Sequence, residues 1–162
     1  ASNQRFIVTT GDPDGIGREV TVKALNKIGP KKNVQFIVIR SSGSDSSAPK
    51  WSRKFRIQPA PSLEAALHDR FDSKWLIEVR SDRPAARWVE EAAKVCLQKK
   101  CSGIITAPLS KTAIIESGMT EIGHTEILAR VSGEKDLFMG FWGQKFNVLL
   151  ATGHAPLSQA IQ

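Results

Sequence analysis

Short apolar runs with strand character alternate with helix-forming segments along almost the whole chain. A run at residues 5–9 leads into the glycine-rich turn GDPDGIG at 11–17, and a helical pattern follows until Gly29-Pro30. Further strands are predicted at 34–40, 74–79, 102–107 and 146–152. Because strands that alternate with helices pair in parallel and need cover on both faces, we predict an α/β fold. Its form is a three-layer α/β/α arrangement around a mostly parallel sheet.

The helices that alternate with these strands are predicted at 18–28, 61–69, 85–100, 111–118 and 125–133. Trp88, Ala92 and Val95 lie along one face of the third helix, so we expect them in the core. Residues 41–50 are rich in serine and follow neither a helical nor a strand period. We predict a flexible surface loop there.

The length of 162 residues allows one compact domain with a sizeable core. No apolar run approaches the roughly 20 residues that cross a bilayer, and the first residues lack the pattern of a signal peptide. We therefore expect a soluble, cytoplasmic protein without a membrane partner. The net charge of +7 could suit nucleic acid, but the basic residues are scattered and lack interleaved aromatic residues, so we expect no nucleic-acid partner.

The two cysteines, Cys96 and Cys101, are five residues apart across a predicted helix end. Their spacing matches neither a metal site nor an oxidised framework, so we expect reduced structural thiols. His68 lies in a predicted helix without a chemical partner nearby in sequence. We interpret it as a surface or structural residue.

Ligands of open α/β sheets bind where loops leave the carboxyl ends of strands. Three predicted loops of this kind carry polar residues: GDPDGIG, TAPLSK and ATGHAPL. The first does not match the dinucleotide pattern G-x-G-x-x-G, and Asp12 and Asp14 would repel a phosphate. A tight structural turn and a ligand cradle therefore both remain open for it.

The second loop and the segment EIGHTEIL at 121–128 offer groups that could bind an anion. Lys111 stands at the start of a predicted helix, where its ammonium could meet a phosphate or carboxylate. His124 and Thr125 begin the next helix, where imidazole, hydroxyl and unpaired N–H groups can converge on one anion. The alternative is an ordinary helix start with a surface histidine.

The third loop places His154 directly after the predicted strand at 146–152, at the carboxyl edge of the sheet. There its ring could hold a divalent metal beside a substrate. A metal site needs several ligands, and one histidine does not make one.

Together, TTGDPDGIGREV at 9–20, ITAPLSKTAIIESGMTEIGHTEILA at 105–129 and LLATGHAPL at 149–157 resemble the 4-hydroxythreonine-4-phosphate dehydrogenase family of pyridoxal phosphate biosynthesis. The resemblance implies that residues 1–162 form the N-terminal half of a two-lobed enzyme, similar in fold to isocitrate and isopropylmalate dehydrogenases and active as a homodimer. It also implies NAD and a divalent metal (Zn, Mg or Co), with oxidation of the substrate hydroxyl followed by decarboxylation.

Carried onto this chain, the resemblance assigns His124 and Thr125 to substrate binding and His154 to the metal. It assigns no catalytic residue here, and it implies that this half alone is inactive. Two alternatives remain open. One is a dehydrogenase of a related phosphorylated sugar acid, such as 4-phosphoerythronate or 4-phosphothreonate, and the other is a non-catalytic phosphate-binding module.

Overall fold

The computed structural model of the chain describes residues 2–43, 53–134 and 137–152, together with Pro156, Ser158 and Ile161. One sheet contains the strands β1 (Gln4–Thr9), β2 (Val34–Ser41), β3 (Arg56–Ala60), β4 (Trp75–Ser81) and β5 (Gly103–Thr106). Their spatial order is β3-β4-β2-β1-β5, and each neighbouring pair is parallel. The carboxyl ends of all five strands therefore lie at one rim of the sheet.

The helices of the described residues are α1 (Gly17–Ile28), α2 (Leu63–His68), α3 (Ala85–Leu97), α4 (Lys111–Glu116) and α5 (His124–Ser132). Helix α1 covers one face of the sheet, and its Val22 and Leu25 are buried against Val8 and Val38 of the strands. The opposite face carries α2 and α3, and the fully buried Trp88 of α3 belongs to that core. The predicted three-layer α/β/α fold is therefore confirmed.

The last two helices form an outer layer. Ile114 of α4 and Ile127 of α5 are fully buried against Ala86 and Val89 of α3. This third cluster lies on the far side of α3 from the sheet core. In the described parts of the chain, no helix is long and apolar enough to cross a membrane.

One strand of the sheet was not predicted. β3 contains Pro59, which has no N–H to donate to a neighbouring strand, and its pattern of burial is irregular. β3 lies at the edge of the sheet and pairs only with β4, which is where a strand tolerates proline.

The expectation of a strand at 146–152 at the carboxyl rim of the parallel sheet is wrong. Only β7 (Asn147–Leu149) forms, and it pairs in antiparallel fashion with β6 (Gly140–Trp142) in a separate two-stranded ribbon. Both strands are exposed along their length. The apolar character that suggested a buried strand therefore belongs to a surface. Of the predicted loop at 41–50, residues 44–50 lie outside the described residues.

A charge cluster fastens α5 to α3. The buried Glu90 of α3 accepts hydrogen bonds from Lys94 and Arg87, each at 2.9 Å, and from Arg130 of α5 at 3.4 Å. Arg130 also pairs with Glu121, just before α5. The hydrogen bond from Lys94, then that from Arg87, lower the pKa of Glu90 to about 2.

We expect Glu90→Gln to lower the free energy of unfolding at pH 7 by on the order of 2 kcal/mol. A carboxylate with a lowered pKa stabilises the fold above its ordinary pKa of 4.5, and this contribution is lost as the pH falls from there toward about 2. Urea unfolding at pH 7 and at pH 3 should therefore show a smaller effect of the substitution at pH 3. The exposed Glu134→Gln is the control, and an equal effect of both substitutions would contradict the assignment.

The end of α3 is a Schellman motif built around a lysine. The Lys99 N–H donates to Cys96 O at 2.9 Å, and the Lys100 N–H donates to Val95 O at 3.2 Å. Lys99 adopts a φ of 57°, in the left-handed region where glycine usually stands.

Lys99→Gly is therefore expected to raise the free energy of unfolding by roughly 0.5–1 kcal/mol, because it removes the steric penalty of a Cβ in that region. Lys100→Gly lacks this gain and should be neutral or destabilising. Chemical denaturation of the two variants beside the parent chain tests the difference. A loss of stability in Lys99→Gly would contradict the left-handed conformation.

Candidate functional site

The loop between β1 and α1 is locked against the loop between β5 and α4. Gly11 has a φ of 70°, and a Cβ added to it would lie 2.0 Å from the carbonyl oxygen of Pro108. A Cβ on Gly17 would lie 2.0 Å from Thr10 O and 2.8 Å from the Cβ of Ala107. Only glycine permits such an approach, so the turn GDPDGIG has a structural role. This role leaves open whether it also contacts a ligand.

Asp12 connects the two loops chemically. Its Oδ2 accepts a hydrogen bond of 2.8 Å from the backbone N–H of Ser110. Ser110 is the N-cap of α4, and its hydroxyl accepts from the N–H of Ala113 at 3.1 Å. Oδ1 of Asp12 is buried and has no hydrogen-bond partner among the described residues. The aspartate that seemed unfavourable for an anion site is thus used to hold the second loop.

His124 interacts with both of these loops. It is the first residue of α5 and follows Gly123, whose backbone is extended. Its ring is half-buried and interacts with the backbone of Ala107 and with the carboxylate of Asp12. Burial lowers the pKa of His124 below 6.5, although the Ala107 hydrogen bond and the Asp12 charge partly oppose this. The imidazole is therefore neutral near pH 7.

The neutral ring keeps an unused nitrogen. Nε2 of His124 is buried and has no hydrogen-bond partner within the described part of the chain. A buried polar atom without a partner lowers the free energy of unfolding, and such atoms often mark a place where a ligand, an ion or water binds. An incoming group that carries a proton, or a proton that arrives with an anion, would satisfy it.

The start of α5 adds backbone donors beside this ring. The first helical hydrogen bond runs from the Ile127 N–H to Gly123 O at 3.3 Å, and Gly123 has no side chain to cap the helix. N–H groups of the first turn therefore point outward, at the positive end of the helix dipole. The side chains of Thr125 and Glu126 are exposed. Glu126 lies close to Gly123 and would compete with an anion there.

Lys111 is the first residue of α4, and its side chain is exposed at the same rim of the sheet. The structure thus brings the TAPLSK loop and the start of α5 to one place, together with GDPDGIG. His154 lies outside the described residues, so its predicted role at a metal stays a prediction. Among the described side chains, no group of three or more His, Cys, Asp or Glu could hold a metal ion.

An open cleft of about 290 Å³ is lined in part by Asp12. Its lining includes Thr10, Arg18, Arg40 and Ser41. Arg40 is buried in an ion pair with Glu78 of β4 and donates to Ser41 O at 2.8 Å. The sequence analysis placed Asp12 in a candidate ligand loop but did not foresee its hydrogen bond with Ser110, and it did not identify Arg40. The only available signal was their position directly after or near the end of a predicted strand.

Known proteins resemble this chain along nearly its full length. A 4-hydroxythreonine-4-phosphate dehydrogenase from Sulfurihydrogenibium sp. (strain YO3AOP1) is 33% identical over 163 residues, which cover 94% of this chain and 50% of that relative. A Cutibacterium acnes protein provisionally named D-threonate 4-phosphate dehydrogenase is 26% identical and is covered to 49%. The chain therefore spans about half the length of the curated relatives that it matches.

Solved structures agree on the fold. A 4-hydroxythreonine-4-phosphate dehydrogenase from Klebsiella pneumoniae superposes with a TM-score of 0.73 at 22% identity, over 98% of this chain and 52% of that one. The enzyme of the same name from Burkholderia phymatum gives a TM-score of 0.72, also at 22% identity, over 99% of this chain and 53% of that one. At this identity the likeness supports the fold and not the activity.

The family model for the pyridoxal phosphate biosynthetic protein PdxA matches residues 16–162, which include the TAPLSK loop, His124 and Thr125. This match covers most of the chain and confirms the resemblance that the three motifs indicated. The chain belongs to the PdxA family of pyridoxal phosphate biosynthetic proteins.

Proposed function

We propose that this chain forms part of an NAD-dependent and divalent-metal-dependent enzyme of the cytoplasm. It would oxidise 4-hydroxythreonine 4-phosphate, with decarboxylation following, in pyridoxal phosphate biosynthesis. In this proposal His124 and Thr125 bind the substrate. The relatives that carry this dehydrogenase name support the reaction class.

The observation that carries the proposal is the convergence at His124. Asp12, Ala107 and His124 come from three separate segments, and the structure brings them into mutual interaction at one rim of the sheet. The buried Nε2 and the outward N–H groups of α5 then form a receptor for a phosphate or carboxylate. A surface histidine at an ordinary helix start would not show this burial.

The neutral state of His124 has a consequence for anion binding. A dianionic phosphate beside the ring would raise the pKa of His124, because opposite charge favours the imidazolium. The ring then takes up a proton and donates from the nitrogen that has no partner in the ligand-free protein. In this proposal Thr125, in the first turn of the same helix, adds a hydrogen bond from its hydroxyl.

When bound, NAD supplies the hydride acceptor and the divalent metal polarises the substrate oxygen. The described residues do not by themselves offer a set of three metal ligands. In our proposal His154 provides one ligand, and the others lie in sequence that corresponds to the other half of the relatives. This half alone would then bind substrate weakly and would not turn it over.

Two measurements test the proposal. Calorimetry with the 162-residue chain should detect binding of 4-hydroxythreonine 4-phosphate, with inorganic phosphate as the weaker reference. NADH formation should be measured with a divalent metal on the longest natural polypeptide that contains these residues, beside its His154→Ala variant. Full activity in that variant would remove His154 from the mechanism, and no binding at all would remove the substrate site.

A second candidate is the oxidation of a related phosphorylated sugar acid such as 4-phosphothreonate or 4-phosphoerythronate. The Cutibacterium acnes relative favours it, since the name of that protein gives D-threonate 4-phosphate as substrate and the alignment covers 95% of this chain. The receptor at His124 recognises an anionic group and not the remainder of the molecule. Comparing kcat/KM across these substrates separates the two candidates. Binding of all of them without turnover would instead favour a phosphate-binding module.

We also propose that the protein assembles as a homodimer. The ribbon formed by β6 and β7 exposes Phe141, Trp142, Phe146 and Leu149, with exposed fractions between 54% and 81%. Large apolar side chains that are exposed and concentrated in one ribbon of this kind often mark an interface. Light scattering should give twice the monomer mass, and Trp142→Ser should shift the protein toward the monomer. A monomeric parent chain at high concentration would contradict the assignment.

A further inference from the structure

The two cysteines meet in space at the rim opposite to the functional site. Sγ of Cys96, in the last turn of α3, lies 2.8 Å from Sγ of Cys101, just before β5. The bond length of a disulfide is about 2.05 Å, so the two sulfur atoms need to move by less than about 1 Å to bond. Both are unbonded thiols in the structure.

The backbone holds the two thiols in this position. The Schellman motif around Lys99 turns the chain back over the end of α3, and the Ser102 N–H then donates to Arg5 O of β1 at 2.7 Å. Cys101 is therefore fixed on both sides, by the end of a helix and by the start of a sheet strand. The approach of the sulfur atoms follows from this fold and does not need a rearrangement of the backbone.

Cys101 can be reached from a cationic cavity. The lining of an open cavity of about 330 Å³ includes Lys99, Lys100, Cys101 and Ser102, together with Arg5 and Phe71. The guanidinium of Arg5 is already used, since it donates to Gln35, Leu67 O and Asp69 O. The two lysines thus provide the positive charge that a ligand would meet.

We propose that Cys96 and Cys101 form a reversible dithiol modification site that exchanges with a small anionic disulfide of the glutathione class. Cys101 reacts first, because it lines the cavity, and Cys96 completes the bond. The lysines attract the carboxylates of the disulfide to the cavity. This proposal is independent of the proposed dehydrogenase function.

The exchange takes place in two steps. Cys101 loses its proton to water and attacks one sulfur of oxidised glutathione, whose S–S bond breaks and releases one glutathione thiol. Cys96 then loses its proton and attacks Sγ of Cys101, which releases the second glutathione. Two protein thiols are oxidised and one glutathione disulfide is reduced to two thiols. Burial, together with the neighbouring Cys101 thiol, raises the pKa of Cys96. The order of the two steps follows from the geometry, because Cys101 lines the cavity.

The test begins with the unmodified, reduced chain incubated with oxidised glutathione. We expect both thiols to disappear, with a mass loss of two hydrogen atoms and no change in oligomeric state on a non-reducing gel. The reductant dithiothreitol should restore both thiols. Persistence of both thiols in a large excess of oxidised glutathione, or a cross-link between chains only, would overturn the proposal.

Variants assign the order of the two steps. Cys96→Ser should stop the reaction at a stable glutathione adduct on Cys101, while Cys101→Ser should leave Cys96 nearly unreactive. Equal reactivity of the two single variants would contradict the assigned order. Lys99→Gln with Lys100→Gln should slow the reaction with oxidised glutathione by roughly threefold or more and leave the reaction with neutral hydroxyethyl disulfide unchanged. Equal slowing with both disulfides would exclude the role of the lysines.

Discussion

Gly11→Ala is expected to lower the free energy of unfolding by about 3 kcal/mol. Two costs combine. The backbone at Gly11 is in the left-handed region, and the added Cβ would lie 2.0 Å from the carbonyl oxygen of Pro108. Because that contact is with backbone, no side chain can move aside, and the two loops must separate. Urea unfolding followed by tryptophan fluorescence measures the change.

Gly118→Ala is the matched control for this prediction. Gly118 has a φ of 74°, nearly the same as Gly11, but a Cβ there would meet nothing within 4 Å. It isolates the conformational cost, for which we expect about 1 kcal/mol. If Gly11→Ala costs no more than Gly118→Ala, the close approach of the two loops is wrong.

His124→Ala should weaken binding of the phosphorylated hydroxy acid by roughly 100-fold, since a charge-assisted hydrogen bond contributes up to about 3 kcal/mol. The free energy of unfolding should fall by only about 1 kcal/mol, because the substitution removes one hydrogen bond, that of the ring with the backbone of Ala107. Calorimetry with 4-hydroxythreonine 4-phosphate gives the affinity. The exposed His68→Ala is the control and should bind as the parent chain does.

Proton uptake distinguishes a direct role of His124 from a structural one. The pKa of His124 is below 6.5 in the ligand-free protein, and a bound dianion would raise it. The affinity should therefore increase as the pH falls from the pKa of His124 in the complex to its pKa in the ligand-free protein. Near pH 7, the heat of binding should depend on the ionisation enthalpy of the buffer, and this dependence should vanish in His124→Ala. Binding without proton uptake in the parent chain would contradict the proposed contact.

The core strands were predictable because each is a continuous apolar run that helices cover on both faces. The runs around Ile7, Ile37 and Ile77 fall at the centre of the sheet, as such runs should in a parallel arrangement. Two elements did not follow the rule. Pro59 hid the edge strand β3, and the apolar residues around Phe146 indicated a buried strand where the structure has an exposed ribbon. Hydrophobicity alone does not distinguish a buried strand from an exposed one.

The candidate site was predictable only in part. The positions of His124 and Lys111 at helix starts could be read from local spacing, and the structure confirms both starts. The hydrogen bond from Ser110 to Asp12 joins residues that are 98 positions apart, and no local pattern reports such a pair. The same limit applies to the ion pair of Arg40 with Glu78. Side chains that meet only after the sheet has formed leave little trace in a single sequence.

The outer position of α4 and α5 has a consequence for hydrogen exchange. These helices are buried against α3 and not within the two sheet clusters, so they can detach and reclose while the sheet stays folded. His124 is carried by this outer unit, whereas Asp12 and Ala107 are held by the sheet. A ligand that bridges them would join the two units, and amide protons of α5 would then exchange more slowly while those of β1 and β2 keep their rate.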